Sequence, residues 1–170
     1  LDNIKHLKSF KDFNFIKHDI LNPFSSKIPI EKIWHLASPA SPNIYQENTL
    51  NTIRVIYEGT FNALLLAREN SSKFLFASTS EVYGLTNNNF QYESMPINLS
   101  TTSPRACYSE SKRLAETLIK SFTDEYHLNT RIARIFNTYG PRVSLNDGRV
   151  IGNFIKQSFM KKELTIYGNG

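Results

Sequence analysis

Two hydrophobic periods alternate along this chain. Phe13 to Asp19 (FNFIKHD) alternates as a short strand does. Lys32 to Ala37 (KIWHLA) predicts a second strand that runs into the Pro-rich loop SPASPN, residues 38–43. The period then becomes helical over residues 47–70, with Leu50, Ile53, Tyr57, Phe61, Leu64 and Leu65 on one apolar stripe. Lys73 to Thr79 (KFLFAST) reads as a buried strand, and the polar, Asn-rich stretch from Leu85 to Pro104 as mostly loop. Residues 105–127 form a second long helical segment, and Arg131 to Phe136 (RIARIF) a strand that ends in a loop at Gly140 and Pro141. Val150 to Lys161 is again helical, and Leu164 to Tyr167 predicts a last strand. Strands alternating with helices of this length predict an α/β fold, a parallel sheet with helices on both faces joined by right-handed crossovers. Such sheets bind ligands at the carboxyl ends of their strands, so chemistry is expected directly after Asp19, Ala37, Thr79 and Phe136.

Composition narrows this picture. With 170 residues, 40% hydrophobic and 21% charged, the chain can bury a core, which excludes a disordered tail, a collagen-like repeat and a coiled coil. No apolar run approaches the roughly 18 residues of a membrane span, and no signal-peptide pattern opens the chain. A single cysteine, Cys107, excludes an intrachain disulfide framework and a multi-cysteine metal site, so no metal is expected. The net charge of +5 is spread along the chain, without a run of five basic residues, zinc-finger spacing or an RNA-binding motif. That pattern points to a solvated surface or a small anionic ligand rather than nucleic acid. One free cysteine and this composition also suit the cytoplasm, without bearing on an anchor upstream. The chain opens at Leu1, has no glycine before Gly59 and stops at Gly170, and is therefore expected to be an internal piece of a longer protein.

Candidate chemistry gathers at two places. The strand end FASTSEVYG, residues 76–84, sets Thr79, Ser80 and Glu81 where a ligand would sit. Downstream, Tyr108 and Lys112 stand four apart in a helical segment, so both side chains share one face. A free tyrosine is a poor base at neutral pH, but a neighbouring lysine cation favours the phenolate. Tyr108 can then exchange a proton with a substrate hydroxyl while Lys112 also holds a cofactor ribose. A hydroxyl-bearing strand end ahead of a Tyr/Lys helix is the arrangement of the short-chain dehydrogenase/reductase superfamily.

Longer motifs sharpen the resemblance. HLASPASP (35–42), FASTSEVYG, SPRACYSESKRLAETL (103–118), RIARIFNTYGPR (131–142) and DGRVIGNFI (147–155) together resemble the UDP-glucuronate decarboxylases, or UDP-xylose synthases, of the extended branch of that superfamily. The similarity runs from about Asn3 to Gly170. It implies a Rossmann-like sheet lacking its first βαβ unit, with residues 1–140 an incomplete NAD-binding domain and 141–170 the start of the substrate-binding portion. It implies that NAD oxidises C4 of the sugar of UDP-glucuronate, that the keto acid loses its carboxyl group, and that the hydride returns to give UDP-xylose. On this sequence Tyr108 would take the C4 hydroxyl proton, Lys112 would tune it and hold the ribose, and Thr79 would hydrogen-bond the same hydroxyl. Ser80 and Glu81 would assist decarboxylation and reprotonation. Cofactor contacts carry over to Asp19, Ile20, Leu36, Ala37, Ser38, Tyr108, Lys112, Thr138 and Arg149. Asn137, Arg142, Arg149 and Val150 would surround the nucleotide diphosphate, where arginine's planar fork suits phosphate oxygens. The two long helices would form a homodimer face.

The alternatives are a nucleotide-sugar 4,6-dehydratase or 4-epimerase, or a non-catalytic truncated nucleotide-binding relative. Ser80 argues against the dehydratase, whose relatives carry Asp there because eliminating a hydroxyl needs an acid. The sequence also departs from the resemblance. The glycine-rich phosphate loop and the acidic residue for the adenosine ribose would lie upstream, and Asp2 is not matched to that role. Ile56 stands where relatives carry an Asn, and the arginine supplied by their C-terminal portion has no counterpart here. His35 reads as a packed strand residue and Cys107 as a small buried filler.

Overall fold

The computed structural model describes residues 2–84, 90–144, 148–166 and 168. Three strands, β1 (Lys32–His35), β2 (Lys73–Thr79) and β3 (Thr130–Ile135), form a parallel sheet in the order β1-β2-β3. β2 is central, with Trp34 opposite Leu75, His35 opposite Phe76, and Ser78 opposite Arg134. Between the strands run α1 (Pro42–Glu47), α2 (Thr49–Asn70) and α3 (Ala106–Tyr126), and α4 (Val150–Phe159) follows β3. The chain divides into two compact units, residues 20–138 and residues 1–19 with 139–170.

In the first unit, α2 begins where the Asn48 side chain accepts the Asn51 N–H. It ends at Ser71, which adopts the left-handed conformation while its N–H caps Arg68 O. α2 and α3 pack on the same sheet face. Thr60 of α2 bonds His35, while Lys112 and Glu116 of α3 reach Ala77 O and Ser78. Their shared core holds Ile56, Ala63, Leu64, Ala67, Phe74, Phe76, Ala115, Ile119 and Phe122. The opposite sheet face carries Trp34, 68% exposed, with Leu75 and Ile135. This is the parallel, Rossmann-like α/β arrangement expected; helices were expected on both faces, and both of this unit's long helices sit on one.

Three local expectations differ from the structure. Phe13 to Asp19 is not a strand: alternation sets side-chain preference, but a strand exists only when its backbone is paired, and no described residue pairs with this segment. Leu164 to Ile166 is likewise irregular, while Tyr167 lies outside the described residues. The SPASPN segment is not all loop, because α1 starts at Pro42, whose missing N–H costs nothing in a first turn. Residues 85–89 lie outside the described set, and residues 90–105 form turns and irregular backbone as expected.

The second unit holds a 3₁₀ helix, Asp2–Ser9, and α4. Here Arg142, at positive φ, donates from Nη1 to His6 Nε2 at 3.3 Å, and its carbonyl accepts from Asn3 Nδ2. Arg149 occupies the N-cap position of α4. Among the described residues no helix is long and apolar enough to cross a membrane.

Candidate active site at the carboxyl end of β2

β2 is a continuous apolar run that emerges from the core into hydroxyl residues, and its last residue organises the turn beyond it. The Thr79 hydroxyl accepts the Glu81 N–H at 3.2 Å and caps a 3₁₀ turn, Ser80–Tyr83. Gly84 closes that turn at φ +70, where a side-chain Cβ would come within 2.1 Å of Asn98 O. Thr79 is buried, and Ser80 and Glu81 are half-buried at the mouth.

α3 brings Tyr108 and Lys112 to this strand end. Lys112 is only 3% exposed; its Nζ donates to Ala77 O at 2.7 Å and lies 4.5 Å from the Phe76 ring centroid and 5.8 Å from that of Tyr108. Burial pulls the ammonium down to about 8, with Glu116 opposing. Glu81 is pushed up by burial, against the pull of Arg105, whose Nη1 lies 3.3 Å from Glu81 Oε1. The site therefore holds a lysine easier to neutralise than usual and a carboxyl group easier to protonate than usual. His35 is packed as expected, between the rings of Phe74 and Phe76, with Nε2 3.0 Å from Thr60 Oγ1. Burial, and then the charge of Lys112, lower its imidazole to about 4.

Tyr45 and Asn62 are neighbours that carried no sequence signal. Tyr45, fully buried on α1, stacks on Tyr108 with ring centroids 4.7 Å apart and planes 4° apart. Its hydroxyl has no partner among the described residues, and burial followed by the charge of Glu81 pushes it up to about 12. The Cys107 thiol is half-buried and lies 3.5 Å from Tyr45 O. Ile56, standing where an Asn was expected, is a core residue. Asn62 donates to Ile20 O at 2.9 Å, and Gly59 lets α2 approach Ile20, whose Cγ2 would meet an added Cβ at 2.8 Å.

Thr79, Ser80, Glu81, Tyr108 and Lys112 thus come together in one unit, which also contains Ile20, Leu36, Ala37, Ser38, Asn137 and Thr138. Leu36 and Ala37 follow β1 exposed, and the Thr138 hydroxyl donates to Phe136 O. Asp19, Arg142, Arg149 and Val150 belong to the other unit.

A family model described as NAD dependent epimerase/dehydratase matches residues 2–170, a span that takes in this Tyr108/Lys112 helix and the Thr79–Glu81 strand end. The chain belongs to the NAD dependent epimerase/dehydratase family. Within it, this member is 43% identical over 168 residues to "UDP-glucuronic acid decarboxylase 1" of Xenopus tropicalis, covering 99% of this chain and 39% of that protein. It is 44% identical over 169 residues to the Arabidopsis thaliana protein of the same name, covering 99% and 38%. A solved UDP-glucuronic acid 4-epimerase from Bacillus cereus, in complex with NAD, superimposes with a TM-score of 0.81 at 31% identity, covering 99% of this chain and 51% of that one. This family member spans about two fifths of the length of those two decarboxylases.

Proposed function

We propose that the full-length protein decarboxylates UDP-glucuronate to UDP-xylose with NAD as its cofactor. One observation carries the reading: the Lys112 bond to Ala77 O docks the Tyr/Lys helix directly beside Thr79, Ser80 and Glu81. Two polar groups fit a bound cofactor and sugar. The Lys112 ammonium has three protons and one hydrogen-bond acceptor, Ala77 O, among the described residues, which suits a ribose hydroxyl. The Tyr45 hydroxyl is buried and unpartnered beside Tyr108.

Lys112 holds the cofactor ribose in this reading, with Ile20, Leu36, Ala37, Ser38, Tyr108, Thr138, Asp19 and Arg149 as further contacts. The nicotinamide, when bound, supplies the hydride acceptor for C4 of the sugar and the donor that later restores it. Tyr108 removes the C4 hydroxyl proton while the Lys112 cation stabilises the phenolate, and Thr79 orients that hydroxyl. Oxidation at C4 makes the sugar a β-keto acid, which loses carbon dioxide through an enolate at C5. Glu81, held toward its protonated form by burial, delivers the proton to C5, and Ser80 orients the departing carboxylate. Serine at position 80 supports decarboxylation over elimination, because a hydroxyl is no general acid at neutral pH. Asn137, Arg142, Arg149 and Val150 serve the diphosphate.

This reading takes residues 1–140 as the incomplete cofactor portion and 141–170 as the start of the substrate portion. It places the protein in the cytoplasm and pairs two copies through the outer faces of α2 and α3, where Ile53, Tyr57, Phe61 and Leu114 are exposed. Incubating the full-length protein with UDP-glucuronate and NAD should give UDP-xylose and carbon dioxide by mass spectrometry. A C4 epimer at unchanged mass would assign it to the epimerases instead, and an accumulating 4-keto sugar would overturn the complete cycle.

A further inference from the structure

We propose that Glu116 and Arg134 are positioning residues that lock the Tyr108/Lys112 helix in register with the end of β2. The proposal rests on the catalytic roles of Tyr108 and Lys112 in the proposed function, and assigns the machinery that holds them.

Glu116 lies one turn beyond Lys112 on α3, so both project toward the sheet. They engage consecutive residues of β2. Lys112 Nζ donates to Ala77 O at 2.7 Å, and Glu116 Oε1 accepts from Ser78 Oγ at 2.5 Å. The next residue is Thr79, which caps the Ser80–Tyr83 turn. Opposite charges one turn apart make this register directional. A slip of α3 by one turn would set the Glu116 carboxylate against the Ala77 carbonyl, where nothing donates.

Arg134 fixes the carboxylate from the other side. It reaches Glu116 through Nε, at 3.1 and 3.2 Å, and through Nη2, at 2.7 Å, a two-pronged contact that holds direction as well as distance. Its remaining prong, Nη1, donates to Glu93 O at 3.0 Å, and the guanidinium lies 4.8 Å from the Tyr83 ring centroid. One guanidinium therefore ties β3, α3, the turn bearing Ser80 and Glu81, and the segment after it. Both side chains are largely buried, at 20% exposure for Arg134 and 12% for Glu116. Truncating Glu116 would strand the Arg134 charge and leave Ser78 without its acceptor, whereas the isosteric Glu116→Gln removes the counter-charge but keeps an acceptor for Ser78.

Glu116 also acts on Lys112 electrostatically. Among the described residues, Glu116 is the charged group acting on Lys112; the Tyr108 ring on its own helix lies 5.8 Å from its Nζ, and His35 on β1 lies within its field. β2 brings only the Ala77 carbonyl and the Phe76 ring, and β3 reaches it through Arg134 and Glu116. Glu116 is the neighbour that favours the ammonium, so neutralising it leaves Lys112 losing its proton at lower pH.

The test uses the full-length protein carrying Glu116→Gln, with Ser78→Ala as a milder variant that removes a single hydrogen bond. Misplacing the Tyr/Lys pair should lower kcat by about 10- to 100-fold in Glu116→Gln, with KM for the nucleotide sugar changed by less than about twofold. The alkaline limb of the rate profile should move to lower pH. Amide hydrogen exchange should quicken in residues 77–84 and 106–112 and stay unchanged in α2, with Ser78→Ala shifting it in the same direction by less. Lost kcat with an unmoved alkaline limb, or exchange unchanged at both segments, would overturn the proposal. Exchange is read without turnover, so a wild-type protein inactive on UDP-glucuronate would sink the proposed function while the register lock is still decided.

Discussion

Helices α2 and α3 are nearly equal in length, at 22 and 21 residues, pack against each other and cover the same face of the sheet, yet they bury different chemistry. α2 buries Thr52, Ile56, Gly59, Thr60, Ala63, Leu64 and Ala67, all neutral. The second half of α3 resembles it, with Ile119 and Phe122 buried. The first half does not: Tyr108, Ser109, Ser111 and Lys112 are buried there, with Glu116 close behind. Burying an ammonium opposes folding, and proteins accept that cost where the group has a task. The contrast separates scaffold from machinery within one layer of the fold.

The sharpest way to break this comparison is Lys112→Met in the full-length protein. Turnover should fall by about 10³-fold or more. The unfolded chain holds the Lys112 proton more tightly than the folded one, whose ammonium is lowered to about 8, so the buried cation weakens the fold throughout the range below that pH. Urea denaturation at pH 7 should accordingly show a midpoint no lower than wild type despite the lost bond to Ala77 O. A clear drop would make Lys112 scaffold rather than machinery.

The scaffold should behave in the opposite sense. Leu64→Ala in α2 and Ile119→Ala in α3 each empty a fully buried position and should cost about 2–5 kcal/mol in chemical denaturation. The kcat of whatever folds should stay within about twofold of wild type, since neither side chain adjoins the Thr79–Glu81 turn. Large kcat losses at either position would dissolve the distinction between the two halves of α3.

A smaller effect comes from His35, which sits where the two chemistries meet, bonded to Thr60 of α2 and within the field of Lys112 of α3. Its folded imidazole titrates at about 4, below the ordinary 6.5 of the unfolded chain. The unfolded state therefore binds the extra proton first, and stability present above about pH 6.5 is lost as pH falls toward 4, by up to about 3 kcal/mol. His35→Gln should flatten that part of the stability profile. An unchanged slope would show that other groups set it.

The legible parts of this molecule were those in which local pattern and tertiary environment agree. KFLFAST is a short apolar run bounded by polar residues, and it became the central strand. The spacing of Tyr108 and Lys112 is intrinsic to a helix and needs no partner to read. Phe13 to Asp19 failed because alternation cannot say whether a pairing strand exists. The hidden parts depend on contacts distant in sequence. Ser78 meets Glu116 from 38 residues away, and Arg134 meets it from 18. Tyr45 stacks on Tyr108 from a six-residue helix whose proline-rich start reads as loop. Nothing local marks Glu116 as different from the exposed acids around it.

The most direct measurement gives the full-length wild type and its Tyr108→Phe variant UDP-glucuronate labelled with ¹³C at C6, with NAD present, and counts labelled carbon dioxide. Wild type should release one labelled carbon dioxide for each UDP-xylose formed, while the variant binds NAD and releases none above background. Label retained in the nucleotide sugar by wild type, or release by the variant at a comparable rate, would contradict the account.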